Sequence, residues 1–306
     1  MIKYSLVLFT MFLYLGAIAQ NQDSTFIKES ASKITKEFPK LRMFNIEYGQ
    51  SLSREFESKL FDADYQEGEI KNQQTVAISA NIPFYKYKKW VFSASGNYRY
   101  NEFDRTIDEN FSVSNFAPYQ IKEHFHNFSV ALNTTLFSTL FKKPLIYNGS
   151  IIVDGNEKGF ERLKGLVGAS LVLKSNERTT MTVGLIVIID PTAQIPFAPT
   201  FSYNHKFKNS DWEFDFILPQ RVIFRRPVFN NGRLSIGSTF GGSGFYVNID
   251  EPNYPNVFEY SQLEIRSGII YEHKLSNRMI LTAKGGLINF ISNRLTEKGE
   301  PSQDFI

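Results

Sequence analysis

Charged side chains stand two residues apart at several points of the sequence, Glu213 with Asp215 and Glu264 with Arg266. Residues at that spacing share one face of an extended strand. Arg99 and Lys284 sit among small and polar residues in comparable surroundings. On the inside of a β-structure such groups could line a selective channel, or interlock as ion pairs, because a buried charge is tolerated only when it is paired. The interlocked network is the favoured reading. His124-Phe125-His126 puts two imidazoles on one strand face, as a transition-metal site would, but no third ligand stands at a fixed spacing, so a structural role is favoured. His126 and Ser129 lie three apart, hence on opposite faces, and form no nucleophile–base pair there. Gly241-Gly242-Ser243-Gly244 lacks the lysine and helix of a phosphate loop. Within a strand it marks a bend or close packing. Arg225-Arg226 could meet lipid phosphate near a rim. No spacing supports catalysis, and no cofactor or metal is expected.

These residues need elements to position them, and the composition indicates which. Aromatic residues make up 15% of the 306, with 29 Phe and 15 Tyr, yet mean hydropathy is negative. That combination suits alternating strands better than membrane helices. A net charge of +3 with scattered basic residues points to no nucleic-acid partner. The absence of cysteine excludes disulfides, thiolate metal sites, a cysteine nucleophile and a lipidated N-terminal cysteine.

Residues 1–19 read as a secretory signal: Lys3 supplies the positive region, residues 5–15 the apolar region, and Ala17-Ile18-Ala19 the small residues at the cleavage site. The alternative is an uncleaved anchor. Residues 20–41 form a polar periplasmic lead-in, with a helix-like stretch at 30–38 stopped by Pro39. No later segment is long and apolar enough for a spanning helix. A membrane location would therefore require a closed barrel from residue 42 to 306.

From Met43 onward the pattern has period two. In residues 90–101, Trp90, Phe92, Ala94, Gly96, Tyr98 and Tyr100 share one face, and Val91, Ser93, Ser95, Asn97, Arg99 and Asn101 the other. In residues 179–190, Met181, Val183, Leu185, Val187 and Ile189 oppose Thr180, Thr182 and Gly184, although Ile186 and Ile188 blur the polar side. Residues 74–84, 128–136 and 279–287 alternate likewise. Runs of this length match the roughly 9–11 residues of a tilted membrane strand. A soluble β-sandwich also alternates, but long aromatic faces turned to water would be costly.

The connections alternate in length, as expected when short turns face the periplasm and long loops the outside. Residues 56–69 and 102–123 read as long, acidic outer loops, containing Asp62, Asp64, Glu67 and Glu69, and Asp104, Asp108 and Glu109. Such loops could hold divalent cations that bridge lipopolysaccharide. Leu218-Pro219-Gln220 reads as a tight outer turn and Asn230-Asn231-Gly232 as a hairpin turn. Thirteen strands result, an odd number where single-chain bacterial barrels have even ones. The expectation is 12–14 strands. Either a closing fourteenth strand is missing from the sequence, or twelve strands close with Leu218-Pro219-Gln220 as a bulge.

The leader, the periodic strands and the segment Trp212-Glu213-Phe214-Asp215-Phe216-Ile217-Leu218-Pro219-Gln220-Arg221-Val222 resemble an uncharacterised family of outer-membrane β-barrels from Gram-negative bacteria. The resemblance covers most of residues 43–290, and its one local motif, strand–Leu-Pro–strand, is short. It implies an up-and-down transmembrane β-barrel in the cell outer membrane and brings no catalytic residues. The expected function is a passive or ligand-gated channel or transport protein for small solutes. The alternative is a non-transporting structural or adhesive barrel working through its outer loops. Outer-membrane lipid is the expected partner.

Overall fold

The computed structural model of the protein describes residues 5–8, 42–60, 63–248 and 255–299. The lead-in at 20–41, most of the expected leader, Asp62 and residues 300–306 lie outside the described residues. Every regular element among the described residues is a strand. In chain order they are β1 (Ser5–Leu8), β2 (Phe44–Ser51), β3 (Arg54–Leu60), β4 (Ala63–Tyr87), β5 (Trp90–Asn110), β6 (Tyr119–Leu140), β7 (Lys143–Asn156) and β8 (Gly159–Ser175). There follow β9 (Thr179–Ile189), β10 (Phe197–Lys206), β11 (Glu213–Leu218), β12 (Arg221–Val228), β13 (Gly232–Asn248), β14 (Val257–Lys274) and β15 (Ile280–Glu297).

From β3 to β15 each strand pairs antiparallel with its neighbour in sequence, giving one up-and-down sheet. β2 and β3 both pair with β4, over Gln73–Ala80 and Ala63–Ile70, and so occupy one rank. The fourteen strands from Phe44 to Glu297 thus fill thirteen ranks. Because directions alternate, β2 and β15 run the same way, and no ladder joins them directly among the described residues. β1 lies between, antiparallel to both, through Ser5–Val7 on β15 and Val7–Leu8 on β2. The sheet curls so that its ends meet through side chains: Lys284 of β15 reaches Glu47 of β2 at 2.6 Å, and Arg42 reaches Glu272 of β14 at 2.7 Å.

The alternation holds in register round the sheet. Tyr98 opposes Ile78 and Phe128, and Val167 opposes Gly149 and Val187, so apolar side chains fall on one common face. On that face Ile82, Val130, Ile151, Val183, Phe224, Ile236 and Ile269 are all exposed. No second sheet covers them among the described residues, which removes the sandwich alternative. The opposite, inward face carries the buried polar residues, among them Asn81, Asn101, Asn133, Ser150 and Asn204.

Two sequence expectations need correction. Residues 56–69 and 102–123 are mostly strand: β4 runs for 25 residues, β5 for 21 and β6 for 22, leaving only residues 111–118 as the loop between β5 and β6. Charges on a strand that projects into water cost nothing to hydrate, so a hydrophilic strand and a loop look alike in composition. The tight turn at Pro219-Gln220 is present as expected, with β11 and β12 as a short hairpin of 6 and 8 residues rather than one bulged strand.

Candidate functional site

Five of the six charges singled out in the sequence have bonded partners on the inward face. Asp215, the most deeply buried acid beside Glu264, accepts from Arg221 Nε at 2.9 Å and from Arg225. Glu213 accepts from Asn204 Nδ2 at 2.6 Å. Glu264 pairs with Arg266 and accepts from Gln262 at 2.8 Å. Lys284 donates to Glu47. Arg99 lines a small cavity with Arg54, Glu264 and Arg266. A further node at Glu272 joins Arg42 and Arg233, the latter at 2.6 Å. The fold therefore gathers these charges on one face as a network with alternating signs, which is how ions are accommodated away from bulk water.

The histidines lie elsewhere. His124, His126, His205 and His273 all fall on the outward face, in rows with Tyr98, Tyr100, Tyr203 and Tyr271. His126 Nδ1 is bonded to the Tyr98 hydroxyl at 3.0 Å, and the rings of His124 and His126 are 5.7 Å apart. Ser129 is inward, bonded to Asn97. Among the described residues no group of three or more potential ligands could hold a metal ion. The outer acidic residues are partly paired as well, Glu123 with Arg105 at 2.7 Å and Asp104 with Gln120 at 2.6 Å.

A second network has its centre where sequence reasoning saw none. In the lower parts of β13 and β14 the outward face is exposed, at Ile236 and Ile269. Further along the same face, Tyr246 is 3% exposed and Glu259 8%, and their neighbours Phe245 and Phe258 on the other face are also buried. Adjacent strand residues point to opposite faces. Burial of both means that the outer half of this hairpin is covered on its two sides: it folds inward across the space enclosed by the sheet.

Each side of the folded-in hairpin has its own contacts. On one, Phe245 stacks on Phe125 with centroids 4.3 Å apart and meets Tyr260 at 4.8 Å and Phe103 at 5.9 Å, an aromatic cluster in an otherwise polar interior. On the other, Tyr246 donates to Asp154 at 2.8 Å, Glu259 pairs with Arg162 and lies 3.4 Å from Lys164, and Lys164 reaches Asp154 at 2.7 Å. Arg162 also pairs with Asp190 at 2.8 Å. Thr192, in the segment joining β9 and β10, donates to Glu259 at 2.8 Å, and Gln194 donates to Ser261 at 2.8 Å. β8, the β9–β10 connection and β14 are thus tied together across the interior. The hairpin's close pairing depends on Gly244, where a Cβ would lie 2.6 Å from the Tyr260 carbonyl oxygen. The glycine run therefore serves close packing, as the sequence indicates. Arg162 and Lys164 have the same two-apart spacing as Glu213 and Asp215, and both fall on the inward face of β8.

Comparison with family models, with curated proteins and with solved structures matches nothing to this chain. Between the folded-in hairpin and β7–β10 lies a cavity of about 620 Å³. Asp154, Lys164, Asp190 and Glu259 stand on its polar side, and Ile152, Leu166, Ile186 and Ile188 on its apolar side.

Proposed function

We propose that the chain is an outer-membrane β-barrel, exported through the leader at 1–19, and that it is a gated transport protein for small solutes, shut in this conformation. The membrane reading is supported by the single antiparallel sheet with apolar side chains exposed on one face and ion-paired charges on the other. Ring closure needs one antiparallel strand between β15 and β2; residues 5–8, which take part of that place as β1, belong to the leader that export would remove. The gated reading rests on the β13–β14 hairpin, which crosses the interior and is held there by Glu259 on Arg162 and Lys164. A salt-bridged latch of this kind has two arrangements separated by the pairing of a few charges.

Planar-bilayer conductance tests this. The native protein is expected to conduct rarely, and Glu259→Gln, which removes the latch acid, to raise open probability at least about tenfold, equivalent to about 1.4 kcal/mol. A second reading, a non-transporting barrel that works through its projecting strands, is favoured by the length of β4, β5 and β6. Inserted protein that carries no current in either form would support it.

A further inference from the structure

Ile186 and Ile188 break the polar alternation of β9, and the structure gives the break a setting. Both face inward, with Ile152 of β7, Leu166 of β8 and Leu263 of β14 across the cavity of about 620 Å³. Its size falls in the roughly 300–1,000 Å³ range of small-molecule sites, which are mainly apolar with a few convergent polar groups. At one side of the apolar wall stand Asp154, Asp190 and Glu259 against Lys164 and Arg162, three negative charges to two positive.

The wall beside the cavity is notched. β10 pairs with β11 only from Phe201 onward, so among the described residues 197–200 have no strand partner on that side. β13 pairs with β12 only as far as Thr239, and Phe240 N–H donates to the Gln220 carbonyl at the turn, so among the described residues 241–248 have no strand partner on that side. The turn at Pro219-Gln220 floors the gap, and both residues line the cavity. Outward residues in register with the notch, Val187 and Phe197, are apolar, with Phe197 exposed. A ligand dissolved in lipid could therefore reach the cavity sideways, between β10 and β13.

We propose that this cavity binds a small amphiphile, with an alkyl chain against Ile152, Leu166, Ile186 and Ile188 and a cationic head at the Asp154–Asp190–Glu259 cluster, admitted from the membrane above the β11–β12 turn. The proposal rests on the membrane reading of the sheet. Its chemistry follows from the lining: an apolar wall excludes a fully polar solute, and the excess carboxylate favours an ammonium over a carboxylate head.

The test uses the full chain in lipid nanodiscs with isotope-labelled isoleucine methyls, titrated with octylamine, octanol and octanoate. Octylamine is expected to shift Ile152, Ile186 and Ile188 saturably while leaving Ile151 and Ile189, outward on the same strands, unchanged. Glu259→Gln should weaken octylamine about tenfold, and Ile186→Glu should abolish its binding with the outward methyl spectrum retained. Uniform, non-saturating shifts at all five isoleucines, or octanoate binding as tightly as octylamine, would overturn the proposal. A lipid-soluble spin label separates the two levels of failure. If it broadens Ile151 and Ile189 while Ile186 ignores all three amphiphiles, the site alone fails. If it leaves Ile151 and Ile189 sharp, the membrane reading fails.

Discussion

The interior carboxylates have side-chain partners, and Asp215 is the clearest case. It is 1% exposed and serves both Arg221 and Arg225. Asp215→Asn would leave two guanidinium groups facing each other with one acceptor of reduced strength. Breaking a buried pair by removing one partner costs about 3–5 kcal/mol. Equilibrium unfolding in urea from lipid vesicles should show a loss of that size, and a loss below about 1 kcal/mol would mean that solvent already screens the group. At this scale the sequence was informative where charges recur two apart on a strand, as at Glu213 and Asp215. It was silent on Glu259, because its partner Lys164 stands 95 residues away and no local spacing links the two.

At the scale of the element, each strand's two faces follow from side-chain type alone, which is why residues 74–84, 90–101 and 179–190 were legible. Their ends were not. β4 spans about 80 Å at about 3.3 Å per residue, well beyond a membrane's apolar layer, and its projecting part carries the charges that usually mark a loop. The outward face predicts its own sensitivity. Val130 is 60% exposed in the middle of β6, and Val130→Arg should destabilise the inserted protein by about 2–4 kcal/mol, as charges on a lipid face do near mid-membrane. The same change at Phe111, in the loop after β5, should cost almost nothing. Unfolding of both variants in vesicles measures the difference, and equal costs would place Val130 in water. The inward fold of the β13–β14 hairpin was illegible for a different reason. Its strands alternate normally, and only contact with β6 and β8 reveals that both faces are covered.

For the whole molecule, thirteen ranks, a curled sheet and an interior crossed by one hairpin combine into one antiparallel sheet with a polar, ion-paired inner face and an apolar outer face. Odd rank number and strand order could be counted from the turns, since Pro219-Gln220 and Asn230-Asn231-Gly232 announce themselves. The notch above β11–β12 could be anticipated only from knowing how tall the neighbouring strands are. Everything proposed about transport and the amphiphile site depends on which medium touches the apolar face. The chain contains no cysteine, so single cysteines at successive positions 128–135 of β6 can each carry a spin label without interference. In lipid vesicles, accessibility to oxygen should peak at 128, 130, 132 and 134 and fall at 129, 131, 133 and 135. A flat profile, or low oxygen accessibility at 130 and 132, would show those side chains packed against protein and contradict the account.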